Sequence, residues 1–143
     1  MAVIIKLATI NINGITNRTR MEMLTDYIRR HGIDIVLLQE VIDPEILNMH
    51  GYEVYYNIGS ETRGTAMVVR SDTMLTKINK TPSGRAIAAE YNGWHIINIY
   101  APSGTAKRAE REQFYNVDVP QLIQTGHGDL IIGCDFNCII NLG

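Results

Sequence analysis

Val3-Ile4-Ile5-Lys6-Leu7-Ala8-Thr9-Ile10-Asn11-Ile12-Asn13-Gly14 is the stretch that decides the fold, once it is set beside Ile33-Asp34-Ile35-Val36-Leu37-Leu38-Gln39-Glu40. The first run is rich in β-branched residues from Val3 to Ile12 and stops at an Asn-Gly turn signal. From Ile33 to Leu38 the second is almost continuously apolar, the pattern of a strand buried on both faces. Between them lies a helix: Thr16 or Asn17 can cap it, Met21, Leu24 and Ile28 repeat at helical spacing, and Gly32 suits the position just past its end. Strand, helix and strand with short joints make a βαβ unit with a right-handed crossover, and the class is therefore α/β.

Working outward, Asp43-Pro44 opens a short helical turn through His50, closed by Gly51. The pattern then changes to strands: Tyr52 to Ile58, Thr65 to Arg70, Met74 to Asn79, and Arg85 to Tyr91. Asn92-Gly93 joins the last of these to Trp94–Tyr100 as a hairpin. A second helix is predicted from Thr105 to Asn116, a further helical turn from Pro120 to Gln124, and a final buried strand from Asp129 to Gly133. No repeat, low-complexity tract or linker divides the chain, so residues 1–143 read as one domain. The sequence stops ten residues after that strand with no closing element. An α/β sheet needs both faces covered, so the expectation is a domain truncated at its C-terminus.

Composition sets the outer bounds. With 143 residues, 45% hydrophobic and 20% charged, the chain resembles ordinary folded proteins rather than a disordered tail. Two cysteines, Cys134 and Cys138, exclude a disulfide-framed scaffold and a four-thiolate zinc site. Apolar runs are too short for a membrane helix, and Lys6 interrupts what would have to be a signal peptide. These readings predict an intracellular protein, nuclear or cytoplasmic, with no membrane partner. The net charge is −2, unevenly spread: Glu61 to Arg111 carries eight basic residues against four acids, and the remainder is net −6. Such a basic middle could line a polyanion groove while acids elsewhere hold metal, although on charge alone an evenly solvated surface is the favoured reading.

In α/β folds ligands gather at the C-terminal ends of strands. Here those ends deliver Asn11 and Asn13, then Gln39-Glu40, then Tyr100, then Asp135 and Asn137. Each also suits a plain structural role, Asn13 before Gly14 as a turn residue above all. Together, two carboxylates among amides and a phenol form an oxygen-rich set suited to Mg2+ or Mn2+. A hard dication polarises a phosphoryl oxygen and acidifies water, while Asn and Tyr hydrogen-bond phosphate oxygens without adding repelling charge.

Leu7 to Gly14, Val36-Leu37-Leu38-Gln39-Glu40, Asn98-Ile99-Tyr100-Ala101-Pro102 and Gly133-Cys134-Asp135-Phe136-Asn137 stand in the order of the endonuclease/exonuclease/phosphatase superfamily, which the chain resembles over nearly its whole length. Asn-Ile-Asn-Gly at 11–14, with Arg63-Gly64-Thr65-Ala66 before a strand, looks most like the endonuclease domain of LINE-type non-LTR retrotransposons. The resemblance implies a two-sheet α/β sandwich of mixed sheets with flanking helices, of which this chain would be the N-terminal half. It implies a Mg2+- or Mn2+-dependent phosphodiester hydrolase nicking DNA to 3′-hydroxyl and 5′-phosphate ends, in a parent polypeptide that also holds a reverse transcriptase domain. Glu40 would be the principal metal ligand, with Asn11 and Asp135 beside it. Tyr100 would bond the scissile phosphate, Asp135 would orient or deprotonate water, and Asn137 would stabilise the transition state. Asn13, Arg63, Ser103 and Lys107 are the candidate substrate-binding residues.

Two departures stand out. Ser103 replaces the Asn that usually follows the Tyr-Ala-Pro-type segment. The family's second half, with a further Asp, a closing Ser-Asp-His segment and a sheet that packs against this one, is not in the sequence. His31, His50, His95 and His127 read as surface or turn residues that cannot take the place of that histidine. The expectation is thus a nuclease whose fragment is inactive or impaired, prone to self-association through an uncovered face. The alternatives are a superfamily phosphatase acting on another phosphoester, and a non-catalytic remnant. A nucleotide-binding loop is unsupported, because neither G-x-x-x-x-G-K-[ST] nor G-x-G-x-x-G follows the first strand, and no G-x-S-x-G elbow occurs. Cys134 and Cys138 read as small, at least half-buried residues, and Phe114 and Tyr115 as core.

Overall fold

The computed structural model describes residues 4–59, 63–101, 108–126 and 128–135, with Asp135 described by its backbone only. β1 (Leu7–Asn11) and β2 (Ile35–Val41) run parallel, Leu7 opposite Ile35 and Asn11 opposite Gln39, joined by α1 (Arg18–Arg30). Asn17 is the cap that forms: its side chain accepts from the Arg20 amide at 3.2 Å, while Gly32, at φ +59, takes the chain out of the helix. A 3-10 turn at Pro44–Leu47 leads to β3 (Tyr52–Asn57) and β4 (Gly64–Arg70). β4 inserts antiparallel between β2 and β3, giving the order β1-β2-β4-β3.

A second four-stranded sheet follows, β5 (Thr76–Lys80), β6 (Ala86–Tyr91), β7 (Trp94–Tyr100) and β8 (Asp129–Asp135), in sequence order. Asn92 and Gly93, at φ +47 and +84, turn the predicted hairpin. β7 and β8 are parallel, with Tyr100 opposite Asp135. The return between them is α2 (Arg108–Gln113), a π-helical turn at Phe114–Asp118 and α3 (Val119–Gln124). The helix expected from Thr105 and the separate turn at Pro120 are therefore one helical run where described. A proline ring has no N–H to give and crowds the carbonyl four residues back, and the wide π turn just before Pro120 absorbs both.

The two sheets face each other in a sandwich. Ile35, Leu37, Met67 and Val69 of the first sheet meet Ile87, Ala89 and Ile96 of the second. On the outer face of the first sheet, Val36, Leu38 and Val68 pack on Met21 and Ile28 of α1. On the outer face of the second, Ala86, Ala88, Ile97 and Ile99 receive Phe114, Val119 and Leu122. Alternation along β2 explains its unbroken apolar run, since both of its faces are buried. The expectation that the facing sheet comes from a later segment is corrected: the described residues of this chain supply four strands to each mixed sheet. Sequence periodicity assigns strands but cannot say that β5 leaves β4 to begin another sheet.

Where the sheets meet, the packing is close. A Cβ on Gly133 of β8 would lie 2.5 Å from Leu37 Cδ1, so this position has no room for a side chain. Polar groups also bridge the two sheets: Asn57 Nδ2 of β3 donates to the Ala86 carbonyl of β6 at 2.8 Å, and a buried amide cluster makes a second link. Asn98 of β7, fully buried, donates through Nδ2 to the Leu38 and Ala66 carbonyls, both at 2.9 Å. Gln39 Nε2 donates to Asn98 Oδ1 at 2.8 Å and to Thr9 Oγ1 at 2.8 Å, tying β1, β2, β4 and β7 at one point.

Candidate active site

The buried amide cluster also sets the site. Gln39 precedes Glu40 by one residue and Asn98 precedes Tyr100 by two, so the bond between them brings the C-terminal ends of β2 and β7 to the same end of the sandwich. Parallel pairing adds the ends of their neighbours, Asn11 beside Gln39 and Asp135 beside Tyr100. Asn11, Glu40, Tyr100 and the backbone of Asp135 are thus gathered at one edge. Asn137, Ser103 and Lys107 lie outside the described residues.

Glu40 stands at an irregularity. The β2–β4 register shifts between Gln39 and Val41, and Glu40 occupies the left-handed region at φ +58. Such a conformation costs an L-residue roughly 1–2 kcal/mol and turns its side chain out of the ladder. Its carboxylate is 19% exposed and engaged at both oxygens. Oε1 accepts from Arg63 Nη1 at 2.8 Å, and Oε2 accepts from Asn11 Nδ2. The Asn11 carbonyl accepts the Asn13 amide at 2.8 Å, an Asx turn, and Arg63 Nη1 reaches Asn13 Oδ1 at 3.1 Å. Asn13, at φ +49, is therefore a turn residue and a site residue at once. The Gly14 amide donates to the Glu40 carbonyl at 2.8 Å, and Gly14 itself has φ +65.

Arg85 was not among the residues singled out by sequence. It sits opposite Tyr100, whose amide donates to the Arg85 carbonyl at 2.7 Å, and its guanidinium carbon lies 5.2 Å from the Tyr100 ring centroid. Nε donates to Glu110 Oε1 of α2 at 2.8 Å, while Nη1 is buried without a hydrogen-bond partner among the described residues. Its signal in the sequence is weak, an arginine at the mouth of an apolar strand. Asn98 and Gln39 were legible only as parts of motifs.

The histidine reading needs one correction. His31 and His50 are exposed, but His95 is buried, with Nε2 3.0 Å from the Leu122 carbonyl. It shares with Ile97 and Ile99 the face that the helices cover, and Gly126 passes directly over its ring. Cys134 is half-buried and Phe114 is core, as expected. A cavity of about 1000 Å3 lies elsewhere, between Thr16, Asp43 and Tyr56 beside β3, and does not include Glu40.

Carboxylate and amide oxygens are the hard donors that Mg2+ and Mn2+ accept. Among the described residues no group of three or more His, Cys, Asp or Glu could hold an ion. Glu40 as the carboxylate and Asn11 as the neighbouring amide are two hard oxygen donors, a number suited to a cation that keeps several waters. Among the described residues no helix is long and apolar enough to cross a membrane.

This two-sheet sandwich, with helices on its outer faces and a carboxylate and amides at one strand-end edge, defines the class as a two-layered α/β sandwich of mixed sheets. The model of the Endonuclease/Exonuclease/phosphatase family matches residues 8–141, and the chain belongs to that family. Among solved structures it is similar to a humanized D. rerio TDP2, with 17% identity, a TM-score of 0.73, and coverage of 94% of this chain and 63% of that one. It is also similar to the 3′ phosphatase NExo from Neisseria bound to a product DNA hairpin, with 22% identity, TM-score 0.72, and coverage of 94% and 58%. A third is D. rerio TDP2 with a single-strand DNA product, at 16% identity, TM-score 0.71, and coverage of 95% and 62%. The chain thus spans about three fifths of the length of these structures.

Proposed function

We propose that this chain carries the catalytic edge of a divalent-metal-dependent DNA endonuclease of the LINE-type retrotransposon kind, working beside a reverse transcriptase domain of its parent polypeptide. The observation that carries the reading is Glu40, held out of the strand ladder at φ +58 and bonded by Asn11 and Arg63. The Asn-Ile-Asn-Gly motif supports the retrotransposon type, and the DNA products held by the NExo and TDP2 structures support DNA as the substrate.

A bound Mg2+ or Mn2+ would supply Lewis-acid polarisation of the phosphoryl oxygen and a more acidic water. Glu40 and Asn11 would hold it. The Tyr100 hydroxyl would donate to a non-bridging oxygen of the scissile phosphate, its ring fixed against Arg85. Asp135, at the end of β8, would orient the attacking water and take its proton. Arg63 and Asn13 would contact the strand's phosphates, and Asn137, Ser103 and Lys107 are proposed to complete that surface.

Nicking of supercoiled plasmid by the full chain with Mg2+, with EDTA and Glu40→Ala as controls, tests this reading. Nicking abolished by both controls is the supporting result. A folded chain that does not nick, the outcome the sequence leads us to expect, would leave the family assignment standing, overturn catalysis by this chain and select the non-catalytic reading. A second reading, phosphomonoester hydrolysis at DNA ends, is favoured by the likeness to NExo, described as a 3′ phosphatase. Phosphate release from a 3′-phosphorylated oligonucleotide without plasmid nicking would select it.

A further inference from the structure

We propose that Arg63 is an internal counter-ion for Glu40, one that divalent cations must displace and that is thereby handed to the substrate. The inference rests on the reading of Glu40 as the metal-holding carboxylate and concerns what occupies that carboxylate beforehand. Both Glu40 oxygens accept hydrogen bonds within the chain, Oε1 from Arg63 and Oε2 from Asn11. Asn11 cannot simply rotate away, because its carbonyl holds the Asn13 amide at 2.8 Å. Arg63 is the more exposed member of the pair, 39% against 19% for Glu40, and it is bonded through one nitrogen, Nη1, shared between Glu40 and Asn13.

A dication on Glu40 would repel a guanidinium on the same oxygen, so the two states exclude each other. The arginine that leaves stays at the edge of the site, since its backbone opens β4 at Gly64. A planar fork released there suits a phosphate oxygen pair, as a bidentate partner. The backbone shows that room for this arginine is kept. A Cβ on Gly14 would meet Arg63 Cζ at 2.8 Å and Ile42 Cδ1 at 2.7 Å, so the glycine at that turn makes space for the guanidinium as well as supplying φ +65.

The test measures Mn2+ binding to the full chain by electron paramagnetic resonance, for the parent sequence, Arg63→Gln, Arg63→Lys and Glu40→Gln. Removing a competitor of this exposure should tighten Mn2+ by about threefold to fivefold in Arg63→Gln. Arg63→Lys should fall between, and Glu40→Gln should abolish binding. In the unaltered chain, the Arg63 side-chain 15N signal should shift on Mg2+ addition, a readout that needs no variant. Duplex binding under Ca2+ should weaken in Arg63→Gln, and its salt slope should drop by about 1. Mn2+ affinity unchanged or weakened in Arg63→Gln, with the parent chain binding and Glu40→Gln not binding, would overturn the counter-ion proposal alone. Absence of Mn2+ binding in every chain would overturn the metal reading of Glu40 and the proposal with it.

Discussion

The Asn98 side chain of the second sheet donates to the Leu38 carbonyl of the first at 2.9 Å, and it does so from full burial. Replacing it with Leu would leave the Leu38 and Ala66 carbonyls and one Gln39 donor short of partners in an apolar layer. Buried polar groups stranded in this way cost about 1–3 kcal/mol each, partly relieved by relaxation. Asn98→Leu should therefore lower unfolding stability in urea by about 3 kcal/mol, and an unchanged midpoint would show that the bonds are not made.

Glu40 supplies a contrast between two small residues. In ordinary strands Ala is preferred to Gly, but φ +58 reverses the order. Glu40→Gly should be more stable than Glu40→Ala by about 1 kcal/mol, and both should be without nicking activity. Equal stabilities would argue against the left-handed bulge.

Gly14→Ala should behave as a milder Arg63 variant. The added Cβ presses on the far end of Arg63, which yields by leaving Glu40, while φ +65 adds about 1 kcal/mol of strain. The expected outcome is a small loss of thermal stability together with tighter Mn2+ binding. Tighter binding without loss of the fold would separate the two effects.

Asp118, at the end of the π turn, has a carboxyl raised above its ordinary 3.8 by burial. The folded state thus holds its proton more firmly than the unfolded chain. Its contribution is fully present below 3.8 and is lost as pH rises through the folded value. Asp118→Asn should raise the melting temperature at pH 7 and leave it nearly unchanged at pH 3.

The βαβ start, the Asn92-Gly93 hairpin and the strand-end positions of Asn11, Glu40 and Tyr100 were legible because each is a local pattern of period or turn chemistry. Partnerships were not. Arg63 and Glu40 are 23 residues apart and Asn98 and Leu38 are 60 apart, distances over which no local rule speaks. His95 read as a surface residue because it lies in a hairpin strand beside the turn, yet helices cover the face it points to. The left-handed turn at Glu40 carries no signal at all, since a glutamate there is what propensity disfavours. Sequence could locate the candidate edge, but not the sheet pairing that assembles it.

Two apolar sheet faces in contact resist separation far more than they resist sliding, because the hydrophobic effect has no direction. The Asn98 amide, together with Asn57 reaching the Ala86 carbonyl, opposes that sliding along the strands by directional hydrogen bonds. A slip of one residue is roughly 3.3 Å, enough to carry Glu40 out of reach of whatever Tyr100 holds. Homologous sheets could therefore exchange most of their apolar side chains without changing the spacing of the edge, provided these amides keep their carbonyls.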